Sequence, residues 1–258
     1  MIRGALAGNL DVAQVVLYAF FAFFAGLVFY LRREDRREGY PLESEVSGSP
    51  MDRGFLLIPG PKIFRLADGE TALAPRFDSD PREIKATKVA PWPGAPLTPL
   101  GDPMAAEVGP GAYALRADVP EKTYDGRDLI VPGRVATNYA VATAAETPVG
   151  MRVIGADRVF AGVVTDVWID RSEAIVRYYE VEVAADGPAN HILLPVTFAR
   201  INSTGGIVEV QALYGHQIAF VPKTRAPDKV TLLEEEKIMA FFGAGTLYAT
   251  AGRTEPLL

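Results

Sequence analysis

From Val12 to Leu31 the chain reads VAQVVLYAFFAFFAGLVFYL, an apolar run broken only by the amide of Gln14. At 1.5 Å rise per residue, about 20 such residues cover the ~30 Å hydrocarbon core of a bilayer. The pattern predicts a membrane-spanning helix with Asp11 as its N-cap and Tyr30 near the far interface. Between Gly39 and about Pro120 proline and glycine recur every few residues. Here APWPGAPLTPLGDP (Ala90 to Pro103) cannot be helical, since proline removes amide donors and restricts the preceding residue. Short strands are predicted at Gly54–Leu57 and Lys62–Leu66. Trp92, Phe55, Phe64, Phe77, Leu97 and Met104 make this stretch too apolar for a solvated linker, so it reads as an extended segment laid along another protein surface.

From about Pro132 the pattern turns to period two, the mark of half-buried strands. The predicted strands are Met151–Ile154, Val159–Val164, Val163–Asp170, Ile175–Val183, His191–Val196, Arg200–Ile201 and Ile207–Leu213. Turns are predicted at Gly155-Ala156-Asp157, Arg171–Ala174, Asp186-Gly187 and Gly205-Gly206. In VVTDVWID the alternation puts Thr165, Val167 and Ile169 on one face, and Asp166, Trp168 and Asp170 on the other. Strands at this spacing suggest a small closed or nearly closed antiparallel barrel. Val230–Ala249 predicts one helix, capped by Thr231 with Glu234 at the capping-box position and interrupted near Gly243–Gly245. The fold class is therefore a single transmembrane helix plus a mainly β cytoplasmic domain with one C-terminal helix and an extended Pro/Gly-rich segment. Its segments are the outer N-terminus 1–11, the span 12–31, the surface-clasping stretch 32–120 and the barrel domain 121–258.

Charge fixes orientation. Arg32, Arg33, Arg36 and Arg37 follow the span and only Arg3 precedes it, which places the N-terminus outside and the rest in the cytoplasm. A signal peptide fits less well, because the apolar run is too long and no small-residue cleavage site follows. The arginines also suit anionic lipid headgroups, as does Lys62, although topology alone explains them. Ala19, Ala22, Ala25 and Gly26 among the phenylalanines permit close approach of a partner helix, and equally suit a lone helix in lipid. A net charge of −6 argues against nucleic acid. Cysteine is absent and the two histidines, His191 and His216, are far apart in sequence, so thiol and histidine-centred chemistry are disfavoured. Asp170 and Glu173 flank a turn, where solvated acids are common. Trp168 reads as barrel packing, and Glu234, Glu235 and Glu236 as a negative first turn that suits the helix dipole.

The succession of segments resembles the H subunit of purple-bacterial photosynthetic reaction centres. The resemblance runs through RREDRREGYPLE (Arg32–Glu43), GDPM (Gly101–Met104), VGP (Val108–Pro110) and PVGMRV (Pro148–Val153). It is strongest at Gly162–Val183, in the spacing of Asp166, Trp168, Asp170, Glu173, Arg177 and Glu180-Val181-Glu182, and it closes with TLLEEEK (Thr231–Lys237) and LYA (Leu247–Ala249). It implies a barrel of the PRC type and a non-catalytic subunit that binds no cofactor of its own. Such a subunit caps the L and M subunits, whose complex holds bacteriochlorophyll, bacteriopheophytin, quinones, non-haem iron and carotenoid. Further implied partners are light-harvesting ring polypeptides, membrane lipids and a bound cytochrome subunit, with no nucleic acid. The resemblance also implies that Glu173 lies beneath the secondary quinone with Arg177 modulating its charge, and that Asp170 is the next acid on a proton route. The family's surface entrance corresponds to Tyr124–Asp128. Asp125 and Asp128 remain there as proton acceptors, but the paired histidines are missing, so an inhibitory zinc site is not implied. Two other readings are a membrane-tethered PRC-barrel adaptor and an anchored hydrolase using Asp170 and Glu173. The hydrolase lacks a nucleophile motif, phosphate loop or metal-ligand cluster.

Overall fold

The computed structural model describes residues 5–7, 10–40, 42, 44–47, 49, 58–66, 69–76, 80–140, 147–183 and 190–254. The predicted strand at Gly54–Leu57, the turn at Asp186-Gly187, and Arg3, Phe55 and Phe77 lie outside them. The chain divides into two compact units, Met1–Asp80 with Trp92–Gly94, and Pro81–Pro91 with Ala95–Leu258.

In the first unit, strands β1 (Ala5–Ala7) and β2 (Leu10–Asp11) pair ahead of helix α1 (Val12–Glu34). Asp11 caps α1 as predicted: its Oδ1 accepts from the Gln14 amide at 2.8 Å. Gln14, the one polar residue of the apolar run, reaches back to accept from the Asp11 amide at 3.4 Å. The helix outlasts the apolar run by three residues, since Arg32 and Arg33 are good helix formers and suit the negative end of the dipole. None of its side chains is buried within the chain, and the rings of Phe20 and Phe24 stack at 6.1 Å. A helix that is apolar all round, with none of its residues buried among the described ones, needs lipid or a partner helix.

The predicted strand at Lys62 is β3 (Lys62–Arg65), and its antiparallel partner is β4 (Thr71–Ala74), which alternation did not reveal. The short strands β5 (Ala86–Lys88) and β6 (Leu97–Pro99) of the second unit likewise form a hairpin across the proline-rich stretch. These hairpins bury few side chains, so their sequences carry no hydrophobic signature.

The second unit is built on a curled sheet. In chain order its strands are β7 (Ile130–Pro132), β8 (Arg152–Ile154), β9 (Phe160–Asp170), β10 (Ile175–Val183), β11 (Asn190–Pro195), β12 (Ala199–Asn202) and β13 (Ile207–Val210). They are ordered β11-β10-β9-β8-β13-β12, with β7 also on β9. All pairings in this sheet are antiparallel except β13 with β8, which is parallel and joins Ile207 to Arg152. The stretches predicted at Val159–Val164 and Val163–Asp170 run together as the eleven-residue β9. One edge of β9 carries β10; the other is shared by β8 near its start and β7 near its end. Register shifts at Val176/Tyr178 and Glu180/Val181 increase the curl.

Over the last four residues of β9 the alternation of faces is not matched by an alternation of burial. Val167, Trp168, Ile169 and Asp170 are all buried. The cause is that β7 and the segment after it cover this end: the Gly133 amide donates to Val167 O at 2.7 Å, and the Tyr139 hydroxyl donates to Arg171 O at 2.8 Å.

Helix α2 (Leu232–Tyr248) closes the core with Ile238 and Phe242, the latter stacked on Phe198 at 5.4 Å. The Thr231/Glu234 capping box forms as predicted. Thr231 also donates to Asp118 Oδ1 at 2.8 Å, and the Leu232 amide donates to Val119 O at 3.1 Å, so the segment near residue 118 is fastened to the start of α2. The predicted interruption near Gly243–Gly245 does not occur; α2 is continuous. The glycines serve close approach instead: a Cβ on Gly243 would press into the Pro110 carbonyl, and one on Gly245 into Leu213 and the Ala212 carbonyl.

Gly243→Ala is therefore expected to destabilise. Helix propensity favours alanine by about 1 kcal/mol, but overpacking against a backbone carbonyl costs about 1–3 kcal/mol. Urea titration of the full chain in detergent, followed by circular dichroism, reads the sign. A stabilised variant would mean that Pro110 yields freely.

Candidate functional site

The Arg171–Ala174 turn joins β9 to β10 and carries the predicted acids. Asp170 ends β9; its Oδ1 accepts from the Ser172 amide at 2.9 Å and the Glu173 amide at 3.1 Å. This buried side chain shapes the turn, and Ala174 completes it at φ 56°. Glu173 and Arg177 are exposed, Glu173 at the tip of the turn and Arg177 on β10.

A second acidic turn abuts this one. The Arg171 amide donates to Leu129 O at 3.0 Å, and its Nη1 donates to Asp128 O at 3.2 Å. Ile130 pairs directly with Asp170. The structure thus brings the predicted entrance turn, Asp125 and Asp128, to the same end of the sheet as Asp170 and Glu173. Within it, Thr123 Oγ1 donates to Asp125 Oδ1, and Arg127 Nε donates to Asp125 Oδ2 at 2.6 Å. The Thr123 hydroxyl first, and then Arg127, hold the Asp125 carboxyl below the usual carboxylate range. Asp125 therefore stays anionic to lower pH than an ordinary aspartate. Asp128 is ion-paired with Lys122.

Two features escaped the sequence reading. Glu180, buried on β10, accepts from Arg134 Nη1 at 2.6 Å and from the Trp168 indole at 2.8 Å, and lies 3.2 Å from His191 Nδ1. Asp166 shares the same guanidinium at 3.0 Å. His216 lies elsewhere, edge-on to the Tyr214 ring at 6.3 Å. The second feature is Glu235, whose Oε2 accepts from the buried Tyr178 hydroxyl at 2.7 Å. Burial pushes both groups upward. Spacing gives no hint of either cluster, because Arg134 meets Glu180 across 46 positions and Tyr178 meets Glu235 across 57.

The basic residues after the span are mostly engaged within the chain. Arg37 grips Glu34 through Nε at 2.8 Å and Nη2 at 2.9 Å, and its Nη1 donates to Gly60 O at 2.7 Å and Ala74 O at 2.9 Å. Lys62 also pairs with Glu34 and sits 5.8 Å from the centre of the Tyr30 ring. Arg36 lies 5.4 Å over the Tyr40 ring, Arg32 reaches Asp35 at 3.3 Å, and Arg33 is exposed. Among the described residues no three His, Asp or Glu side chains converge in a way that would hold a metal ion.

Residues 4–135 match the family described as photosynthetic reaction centre, H-chain N-terminal region, and residues 142–217 match the PRC-barrel domain. The first match alone covers more than half of the chain.

Proposed function

The chain belongs to the photosynthetic reaction centre H-chain family, and on that premise we propose that it caps the L and M subunits on the cytoplasmic side and helps protons reach the secondary quinone they hold. The apolar helix α1 anchors it in the membrane, and the arginines after Leu31 favour a cytoplasmic main domain. The first unit presents Ile63, Phe64, Leu73 and Trp92 to its surroundings, and the second presents Ile84 and Leu97. Side chains of this kind, on segments with few internal contacts, suit a partner protein surface better than water. In this reading the pigments, quinones and iron belong to the partner subunits.

The proton role is carried by one observation: two acidic turns, 123–128 and 170–173, meet at one end of β9 through Arg171. Asp125, anionic at the surface, draws protons toward this end. Asp170 orients the turn through Oδ1, which accepts both amides. Its Oδ2 makes it the next acid on the route from Glu173, the exposed acid at the tip that accepts and passes on a proton. Transfer requires steps of roughly 2.6–3.2 Å, through waters where side chains do not touch. Arg177, on the strand that follows, adjusts the charge around it.

In the assembled complex, Glu173→Gln is expected to slow the second flash-induced electron transfer to the secondary quinone. The slowing should be about tenfold or more at neutral pH, because a positioned proton donor typically contributes roughly 100-fold and neighbouring acids replace part of it. Small diffusible acids should restore the rate. Unchanged kinetics in an assembled complex would remove Glu173 from the route and leave the capping role standing.

A further inference from the structure

We propose that the carboxyl–phenol pair of Glu235 and Tyr178 is a second proton-holding site of this subunit, loaded from bulk water when negative charge arrives on the partner-bound quinone. The proposal rests on the functional reading above and adds a residue to it.

The geometry differs from that of the neighbouring glutamates. Glu234 is committed to the helix cap and accepts from the Thr231 and Arg225 amides, each at 2.9 Å. Glu236 lies 3.8 Å from Arg116. Glu235 instead points to β10, where Tyr178, only 3% exposed, donates its hydroxyl to Oε2 at 2.7 Å. The pair borders an open cavity of about 480 Å³ lined also by Arg116, Arg177, Thr197, Glu236 and Met239. At about 30 Å³ per molecule, such a space takes on the order of ten waters, enough for a hydrogen-bonded path to the carboxyl.

The charges around the pair oppose one another. Burial raises the Glu235 carboxyl, and Glu121 adds to the rise; the Tyr178 hydroxyl, Arg177 and Arg116 pull it back. The first turn of α2 also favours the anion. A carboxyl balanced in this way responds to new negative charge nearby by binding a proton at its second oxygen, while Tyr178 continues to donate to the first. Tyr178 does not itself ionise, because burial and then the Glu235 charge push its phenol far up. Arg177 faces this cavity and, in sequence, stands four residues beyond Glu173.

The test is light-induced proton uptake by the assembled complex as a function of pH, read with an indicator dye alongside the infrared carboxylic-acid difference band. Glu235→Gln is expected to lose the uptake component that titrates above the ordinary carboxylate range, together with its band. Tyr178→Phe removes a donor that favours the anion, so the same component should move to higher pH, a shift that a purely structural contact would not produce. If Glu235→Gln does not assemble, Tyr178→Phe decides alone. Wild-type uptake with unaltered curves and bands in the variants that assemble overturns the assignment and leaves the Glu173 route intact. A wild-type complex that takes up no protons on quinone reduction overturns the functional reading itself.

Discussion

Replacing Trp168 by alanine is expected to lower the unfolding free energy by about 3–5 kcal/mol, the range for emptying a large aromatic site in a core. Trp168 is 1% exposed and sits between Pro132 of β7 and Tyr178 of β10 in the pairing of β9. Its loss opens a cavity where the two edges of β9 meet the covering segment, and that junction is tied by backbone bonds that restrain collapse. The indole N–H also leaves Glu180, a buried carboxylate, without one donor. Trp168→Phe separates the two effects: it keeps most of the volume and drops the donor, for an expected cost of about 1–3 kcal/mol. Urea titration of the full chain in detergent, followed by circular dichroism, measures both. A loss below about 1 kcal/mol for the alanine variant would show that the sheet closes over the gap.

Arg134→Ala should rank next. One guanidinium serves Glu180, Asp166 and the Pro227 carbonyl, so its removal takes the positive partner from two carboxylates on adjacent strands. Breaking a buried pair from one side costs about 3–5 kcal/mol. The Arg134 side chain is 43% exposed, and water relieves part of the loss, so the expected cost is about 2–3 kcal/mol. The companion variant Glu180→Leu, made on the Arg134→Ala background, should recover part of it, because no buried charge then remains at that position, while the Trp168 indole loses its acceptor. A cycle in which the two changes simply add would mean that the ion pair is incidental to the fold.

What could be seen in the sequence was local. Asp11 and Thr231 announce helix starts because a cap acts over three residues, and the Arg171–Ala174 turn follows from the strands that bracket it. The pairing partners were not visible. Nothing in Arg152–Ile154 says that it will lie parallel to Ile207–Val210, and β4, β5 and β6 bury too little to leave an alternating pattern. Gly243 and Gly245 look like breaks until Pro110 and Leu213 are seen pressed against them. At the functional end, Glu173 stood out through its turn and its family spacing. Glu235 did not, since in sequence it is one of three adjacent glutamates and only Tyr178 sets it apart.

The fastening of residues 118–119 to the start of α2 also bears on when parts of the domain can fold during synthesis. Asp118 meets Thr231 across 113 positions, and β8 gains its parallel neighbour only when Ile207–Val210 arrives. A ribosome adding roughly 5–20 residues per second delivers Thr231, 113 positions later, about 6–23 s after Asp118. Throughout that interval the first helix is already available to the bilayer, while the segment at Asp118 waits for its partner, and one edge of β8 stays open until Ile207–Val210 is made. Loop closures this long are slow and leave open strand edges. The later-made half of the domain therefore gives the earlier half its shape.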